Sequence, residues 1–238
     1  MENRKGRAAR HAILHPPSSI LAAMIETATG IILRTRSLTE TSLIVHWLTP
    51  AFGRIATVAK GARRTKSPFA GKLDLFYVAD FSYSRSRSSD LHNLREASLR
   101  ETHGAIREDM MKLQQAAYAA AFIEQATETE SPLPEIYGLA RGFLDLLCRQ
   151  SPQPQNIFAL ELKLLRELGL EPDSAETRLT PGAKKIVQAI SDGDWNHGSR
   201  LKLSDAQNSE LRQWLHGFLI FHLGRLPRGR AAALGEGN

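Results

Sequence analysis

Between Lys60 and Ser67 the chain reads Lys-Gly-Ala-Arg-Arg-Thr-Lys-Ser, four cations in one short glycine-started stretch directly after a strand-like run. Side chains of this type at this density fit a phosphate backbone. The window from Pro50 to Leu73 extends the pattern: it holds Arg54, Lys60, Arg63, Arg64, Lys66 and Lys72 and no acidic residue. A solvated protein face normally mixes its signs. The competing reading is a solubilising loop, because basic runs of this length point only weakly to nucleic acid by themselves. Aromatic residues lie on the neighbouring strand-like runs, and rings stack on bases where a basic groove tracks a single strand. Trp47, Phe52, Phe69, Tyr77 and Tyr83 are the possible platforms, with Phe69 and Tyr83, next to turn or polar residues, ahead of the others. Small barrels also need aromatic residues inside, so core packing competes for each of them.

The arrangements that covalent chemistry requires are missing from the sequence. There is no Gly-x-x-x-x-Gly-Lys-Ser/Thr phosphate loop, no His-Glu-x-x-His and no Gly-x-Ser-x-Gly elbow. His216 and His222 are six apart on a helical run and do not share one face, and Glu108-Asp109 sits where a helix exterior is solvated. The single cysteine, Cys148, excludes an intramolecular disulfide and a cysteine-based zinc site. It lies beside an apolar helical stripe and reads as an inert thiol. No catalytic residue, metal or cofactor is expected.

The net charge is +6. The window above supplies +6, residues 1–24 supply +3, and the remainder sums to −3. A basic pole on a mildly acidic body suits an anionic polymer. It is also compatible with a membrane surface, but no amphipathic basic helix coincides with it, and no apolar run approaches the ~18 residues of a membrane span. Residues 1–23 read as a basic, disordered extension, or as sequence upstream of a natural start at Met24, without a clean signal peptide, and a cytoplasmic protein is expected.

The elements that must carry the cations are strands. Thr29–Leu33, Ser42–Leu48 and Arg54–Ala59 are rich in β-branched and aromatic residues. A fourth run, Leu73–Ser84, alternates Leu75, Tyr77, Ala79, Phe81 and Tyr83 on one side, and a fifth covers Leu91–Leu99. Five short strands in about 75 residues suggest a small closed barrel, with Pro50–Gly53 as a four-residue hairpin loop. After Thr102 the period is helical. Five amphipathic helices are predicted: around Ile106–Phe122, from Ser131-Pro132 to Leu147, from Ile157 to a stop at Gly169, from Thr180-Pro181 through Ile190, and from Ser204 through Leu219. They make a bundle. Residues 84–90 and 191–199 are the linker candidates.

Several of these segments together resemble a known family. They are Gly30-Ile31-Ile32-Leu33, Glu40–Val45, Leu48-Thr49, Phe52-Gly53-Arg54-Ile55, Ala59-Lys60-Gly61-Ala62-Arg63-Arg64, Leu94-Arg95-Glu96-Ala97, Glu161–Leu170 with Pro172-Asp173, and Leu179–Ala183. From Met24 to about Arg230 the chain is similar to the RecO family of bacterial recombination mediators and DNA repair proteins. The resemblance implies an OB-fold over residues 24–101 and an α-helical domain over 102–238, an α+β class. It further implies binding to single- and double-stranded DNA, annealing of complementary strands and help in loading the RecA recombinase. RecR and the acidic C-terminal tail of single-stranded-DNA-binding protein are the implied partners, and the tail requires a cation beside an apolar groove. Arg141, Lys163 and Arg166 are the candidates. One departure stands out. Many members carry a four-cysteine zinc module after the Gly-Leu-x-Pro-Asp segment, but here Ser174–Arg178 bridges straight to Leu179 without cysteine, so zinc is not expected.

Two other classes fit the residues alone. An RNA-binding OB module keeps the same basic loop, and a protein-only adaptor uses the helices and leaves the cations as solubility residues.

Overall fold

The computed structural model describes residues 25–172 and 178–236; the basic extension over 1–23 and the bridge over 174–177 lie outside them. Five strands come first: β1 (Ile25–Ser37), β2 (Leu43–Thr49), β3 (Gly53–Ala59), β4 (Val78–Ser84) and β5 (Leu91–Glu101). They close into a barrel in the order β1-β2-β3-β5-β4, with β4 paired back to β1. Only the β3–β5 contact is parallel. This is the OB-fold that the resemblance implied.

The alternation of β1 explains why Ile31-Ile32-Leu33 is apolar on both faces. Ile32 points into the barrel with Val45, Trp47, Ile55, Phe81 and Tyr83. Ile31 and Leu33 point outward, with Leu48, Phe76 and Val78, into the core of the helices. Each such fully buried side chain contributes about 1.5–3 kcal/mol. The outer wall of the barrel is therefore also a wall of the helical core.

The fourth strand begins later than the alternation predicted. Residues 73–77 are not strand: Leu75 and Phe76 form a turn, with Phe76 at φ 65° and, just before, Gly71 at φ 71°, and left-handed backbone breaks an extended run. Phe76 instead donates its N–H to the Ile32 carbonyl at 2.8 Å and buries its ring. The hairpin loop is also shorter, because Gly53 already belongs to β3. Its φ is 61°, and a Cβ there would stand 1.7 Å from the Ser131 carbonyl oxygen, so only glycine fits.

That close approach delays the second helix. Residues 129–133 are tied to the barrel through Glu130 N–H to Arg54 O at 3.0 Å and Leu133 N–H to Pro50 O at 3.1 Å. The helix then starts at Pro134, not at Ser131-Pro132. The helices among the described residues are α1 (Met110–Ala126), α2 (Pro134–Arg149), α3 (Pro154–Glu167), α4 (Pro181–Asp192), α5 (Trp195–Arg200), α6 (Asp205–Leu223) and α7 (Arg230–Ala233), preceded by a 3-10 turn at Gly104–Ile106. Gly169 stops α3 at φ 70°, the Thr180 hydroxyl caps α4, and Ser204 with Gln207 forms a capping box on α6. Two short helices exceed the predicted five. α5 replaces part of the 191–199 linker candidate, because Trp195 packs on Phe143 at 5.5 Å and over Gly142, where a Cβ would meet its Nε1 at 2.4 Å. Tertiary contact, not local periodicity, holds a helix this short.

Candidate nucleic-acid interface

The cationic segment is the start of the β3–β4 connection. Consecutive turns shape it: Arg64 N–H to Gly61 O at 3.1 Å, Ser67 N–H to Arg64 O at 3.0 Å, Ala70 N–H to Ser67 O at 3.2 Å and Lys72 N–H to Phe69 O at 3.1 Å. Gly61, at φ 70°, allows the first reversal. Arg63 N–H to Thr41 O at 3.0 Å ties the loop to the β1–β2 turn, and Phe69 pins its far side into the barrel interior.

On this frame Lys60, Arg63, Arg64 and Lys66 are all exposed. None of them meets a carboxylate among the described residues; the one recorded side-chain partner is the Ser37 hydroxyl, 3.3 Å from an Arg63 guanidinium nitrogen. Four positive groups without internal neutralisation on a pinned loop have the form of a polyanion contact. Arg36, although exposed and next to Ser37 on β1, lies on the opposite strand face with Arg34, where its charge acts on His46, and is not part of this loop surface.

Lys72 is half-buried and lines a groove of about 680 Å³ with Pro68, Phe69, Thr27, Ser82, Arg95 and Ser98. The groove also carries Asp80, which accepts from the Thr29 hydroxyl at 2.5 Å and pairs with Arg100 at 2.5 Å. The Thr29 hydrogen bond, with help from Arg100, holds that carboxyl below its ordinary range. The groove is thus mixed in sign, and the uniformly positive surface is the loop above it.

Arg54 does not belong to that surface. It is half-buried and donates from Nε to the Thr127 hydroxyl at 2.8 Å and from its second nitrogen to the Thr127 carbonyl. It ties the barrel to the end of α1. The aromatic candidates are corrected as well. Tyr83 has no exposed surface; its hydroxyl donates to Glu26 at 2.5 Å and its ring stacks on His92 at 5.2 Å. Phe69 is 6% exposed, and Trp47 is fully buried against Phe81 at 4.0 Å. A base cannot stack on a ring with both faces covered. Tyr77, half-buried, already carries the Arg107 guanidinium 4.8 Å from its centroid.

The proposed partner cations are also engaged within the fold. Arg141 pairs with Glu101 at 3.0 Å. Lys163 donates to the Gly193 carbonyl at 2.6 Å and lies over Trp195, while Arg166 holds the Ser191 carbonyl at 2.9 Å, Glu171 and Asp192. The last two satisfy carbonyls at the end of α4, where cations complement the helix dipole.

The sequence comparisons agree with this architecture. Residues 24–103 match the family model described as Recombination protein O N terminal, and residues 107–177 match Recombination protein O C terminal. A DNA repair protein RecO from Anaeromyxobacter sp. (strain K) is 32% identical over 231 residues, covering 83% of this chain and 91% of that protein. One from Rhodopirellula baltica is 32% identical over 143 residues, covering 60% of this chain and 53% of that protein. The chain belongs to the RecO family. Its role is accordingly in DNA repair and recombination. No helix of the described residues is long and apolar enough to cross a membrane.

At the junction of this RecO-family barrel with its helices, His46 lies in a cleft of about 250 Å³ with Arg34, Arg54 and Glu124. Burial, followed by Arg34, Arg36 and Arg54, lowers its pKa from 6.5 to about 4, although Glu124 stands 3.9 Å away. Arg34 already neutralises that carboxylate at 3.2 Å, so the desolvation prevails. The unfolded chain binds the proton first as pH falls. Stability is therefore complete above about pH 6.5 and declines toward pH 4, by about 1–2 kcal/mol at pH 5 from this group. Urea unfolding at pH 7 and pH 5 checks it: His46→Gln reduces the difference, and an unchanged difference refutes the assignment.

Proposed function

We propose that this chain binds single- and double-stranded DNA without sequence preference through Lys60, Arg63, Arg64 and Lys66, anneals complementary strands, and with RecR helps load RecA onto strands coated by single-stranded-DNA-binding protein. The observation that carries this reading is the set of exposed, uncompensated cations on a pinned loop of an OB barrel in a RecO-family chain. Annealing needs two polyanions to approach, and a positive surface lowers their repulsion while releasing condensed counterions. No covalent step is required, and the protein acts as a mediator in the cytoplasm at the nucleoid, not as an enzyme. Contacts to phosphate carry no direct sequence information, which suits a protein that must act at any break.

The acidic tail of the partner needs an apolar seat with cations beside it. Arg141, Lys163 and Arg166 are committed to internal partners, so we place that seat at the end of α6. Ile220 is 41% and Phe221 82% exposed there, with exposed Arg225 and Arg228 immediately after the Gly224 stop.

Fluorescence-monitored annealing of two complementary oligonucleotides tests both halves. Wild type accelerates annealing of bare and coated strands. Arg63→Glu with Arg64→Glu abolishes the acceleration on both. Phe221→Asp abolishes it on coated strands alone. No acceleration by folded wild-type protein would reject the mediator reading in favour of a protein-only adaptor, and equal loss on bare strands with Phe221→Asp would move the tail site elsewhere.

A further inference from the structure

Glu101 at the end of β5, His103 in the connector and Asp145 on α2 converge at the seam between barrel and helices, their ligand atoms all within 4.8 Å of one another. His103 Nε2 lies 3.5 Å from Glu101 Oε1 and 3.6 Å from Asp145 Oδ1. The imidazole is 3% exposed, and this nitrogen has no hydrogen-bond partner. Its other nitrogen is 2.7 Å from the Phe76 carbonyl oxygen. A carbonyl oxygen only accepts, so Nδ1 carries a proton, which leaves Nε2 as the nitrogen turned to the two carboxylates. A backbone carbonyl on the far nitrogen is the arrangement that orients metal-ligating histidines.

The carboxylates are set up in the same sense. Glu101 gives Oε2 to Arg141 at 3.0 Å, and Asp145 turns Oδ2 toward Arg149 at 3.9 Å. Each has its first oxygen left for Nε2. Separations of 3.5 and 3.6 Å are too long for an N–H···O bond. They are near the roughly 3.4 Å edge of a tetrahedron whose metal–ligand bonds are about 2.1 Å. His103 is also non-glycine at φ 47°, ψ 43°, a left-handed conformation that costs energy.

We propose that Glu101, His103 and Asp145 bind one divalent transition-metal ion, with zinc the best match to one imidazole and two carboxylates, and water completing the shell on the side where both carboxylates are partly exposed. The ion supplies two positive charges between the two carboxylates. It clips the last strand to the connector and to α2, so it stiffens the seam between the barrel and the helices. This site uses no cysteine.

The test uses the untagged full chain, stripped with chelator and dialysed. Calorimetric titration with zinc chloride gives about one equivalent bound, and cobalt(II) gives the intense visible bands of a four-coordinate site. Asp145→Asn weakens zinc at least tenfold and alters the cobalt spectrum, and His103→Gln removes both signals. Zinc raises the thermal unfolding midpoint of wild type but not of Asp145→Asn. If His103→Gln does not fold, Glu101→Gln, checked by circular dichroism, replaces it. Absence of stoichiometric binding, or binding equal in wild type and the variants, overturns the proposal. So does a metal-independent midpoint that falls as pH rises through the histidine range, which would put a proton where the metal is assigned.

Discussion

Arg230→Met lowers the free energy of unfolding by about 3–5 kcal/mol, the range for a buried ion pair broken on one side. Glu161 on α3 has no exposed surface and Arg230 on α7 is 4% exposed. The guanidinium meets the carboxylate with two bonds, 2.6 Å from Nε and 2.9 Å from a terminal nitrogen. The Tyr118 hydroxyl donates to the same carboxylate at 2.5 Å. Burial, with Glu161 beside it, raises the Tyr118 hydroxyl well above its ordinary range, so it stays a donor at any working pH. Without Arg230 the carboxylate keeps one neutral donor in a dry site, and its desolvation is uncompensated. Arg230→Lys keeps the charge but loses the fork and falls between the two. Glu161→Leu with Arg230→Met recovers most of the loss, because no buried charge remains. Urea unfolding followed by tryptophan fluorescence measures all three. A loss below about 1 kcal/mol for Arg230→Met would mean that water reaches the pair.

Nothing local in the sequence marks that pair, because Arg230 sits in a glycine- and alanine-rich tail and its partner is far back on α3. What was legible was what local patterning encodes: the barrel strands from their alternation, the end of α3 from Gly169, the start of α4 from Thr180 and of α6 from Ser204. The cationic loop was legible because charge needs no fold to be read. Tyr83 was misread even though the pattern held the answer, since it shares its parity, and therefore its face, with Phe81. A polar neighbour in the sequence lies on the opposite face of a strand and says nothing about exposure. Arg54, Arg141, Lys163 and Arg166 failed for another reason. Each looks like a surface cation until the fold supplies Thr127, Glu101 or the carbonyls of the α4 end. His103 needs three separate elements to gain its neighbours, and Glu101-x-His103 alone is too short a signal.

Replacing Lys60, Arg63, Arg64 and Lys66 together with alanine flattens the dependence of single-stranded DNA affinity on salt. At about 0.7 counterions released per phosphate, loss of four contacts reduces the log–log slope by up to about 3. The same term is worth about 1 kcal/mol per contact at 0.1 M salt, so affinity there falls by roughly two to three orders of magnitude. Arg54→Ala is the internal control. Its guanidinium is spent on Thr127, so it leaves the slope unchanged while loosening the seam; an equal flattening by Arg54→Ala would show that the DNA path runs through the junction cleft instead. Base identity has little effect, because the rings of Trp47, Phe69 and Tyr83 are closed inside the barrel, and stacking is what gives single-strand binders their modest base preferences. Oligo-dT and oligo-dA of equal length therefore bind alike, and RNA of that length shows the same slope, since phosphate contacts do not separate the two backbones. A strong preference among these polymers would require a ring more open than these three, either half-buried Phe52 and Tyr77 on the barrel or, on the helical side, Phe221, the large aromatic residue left exposed among the described residues.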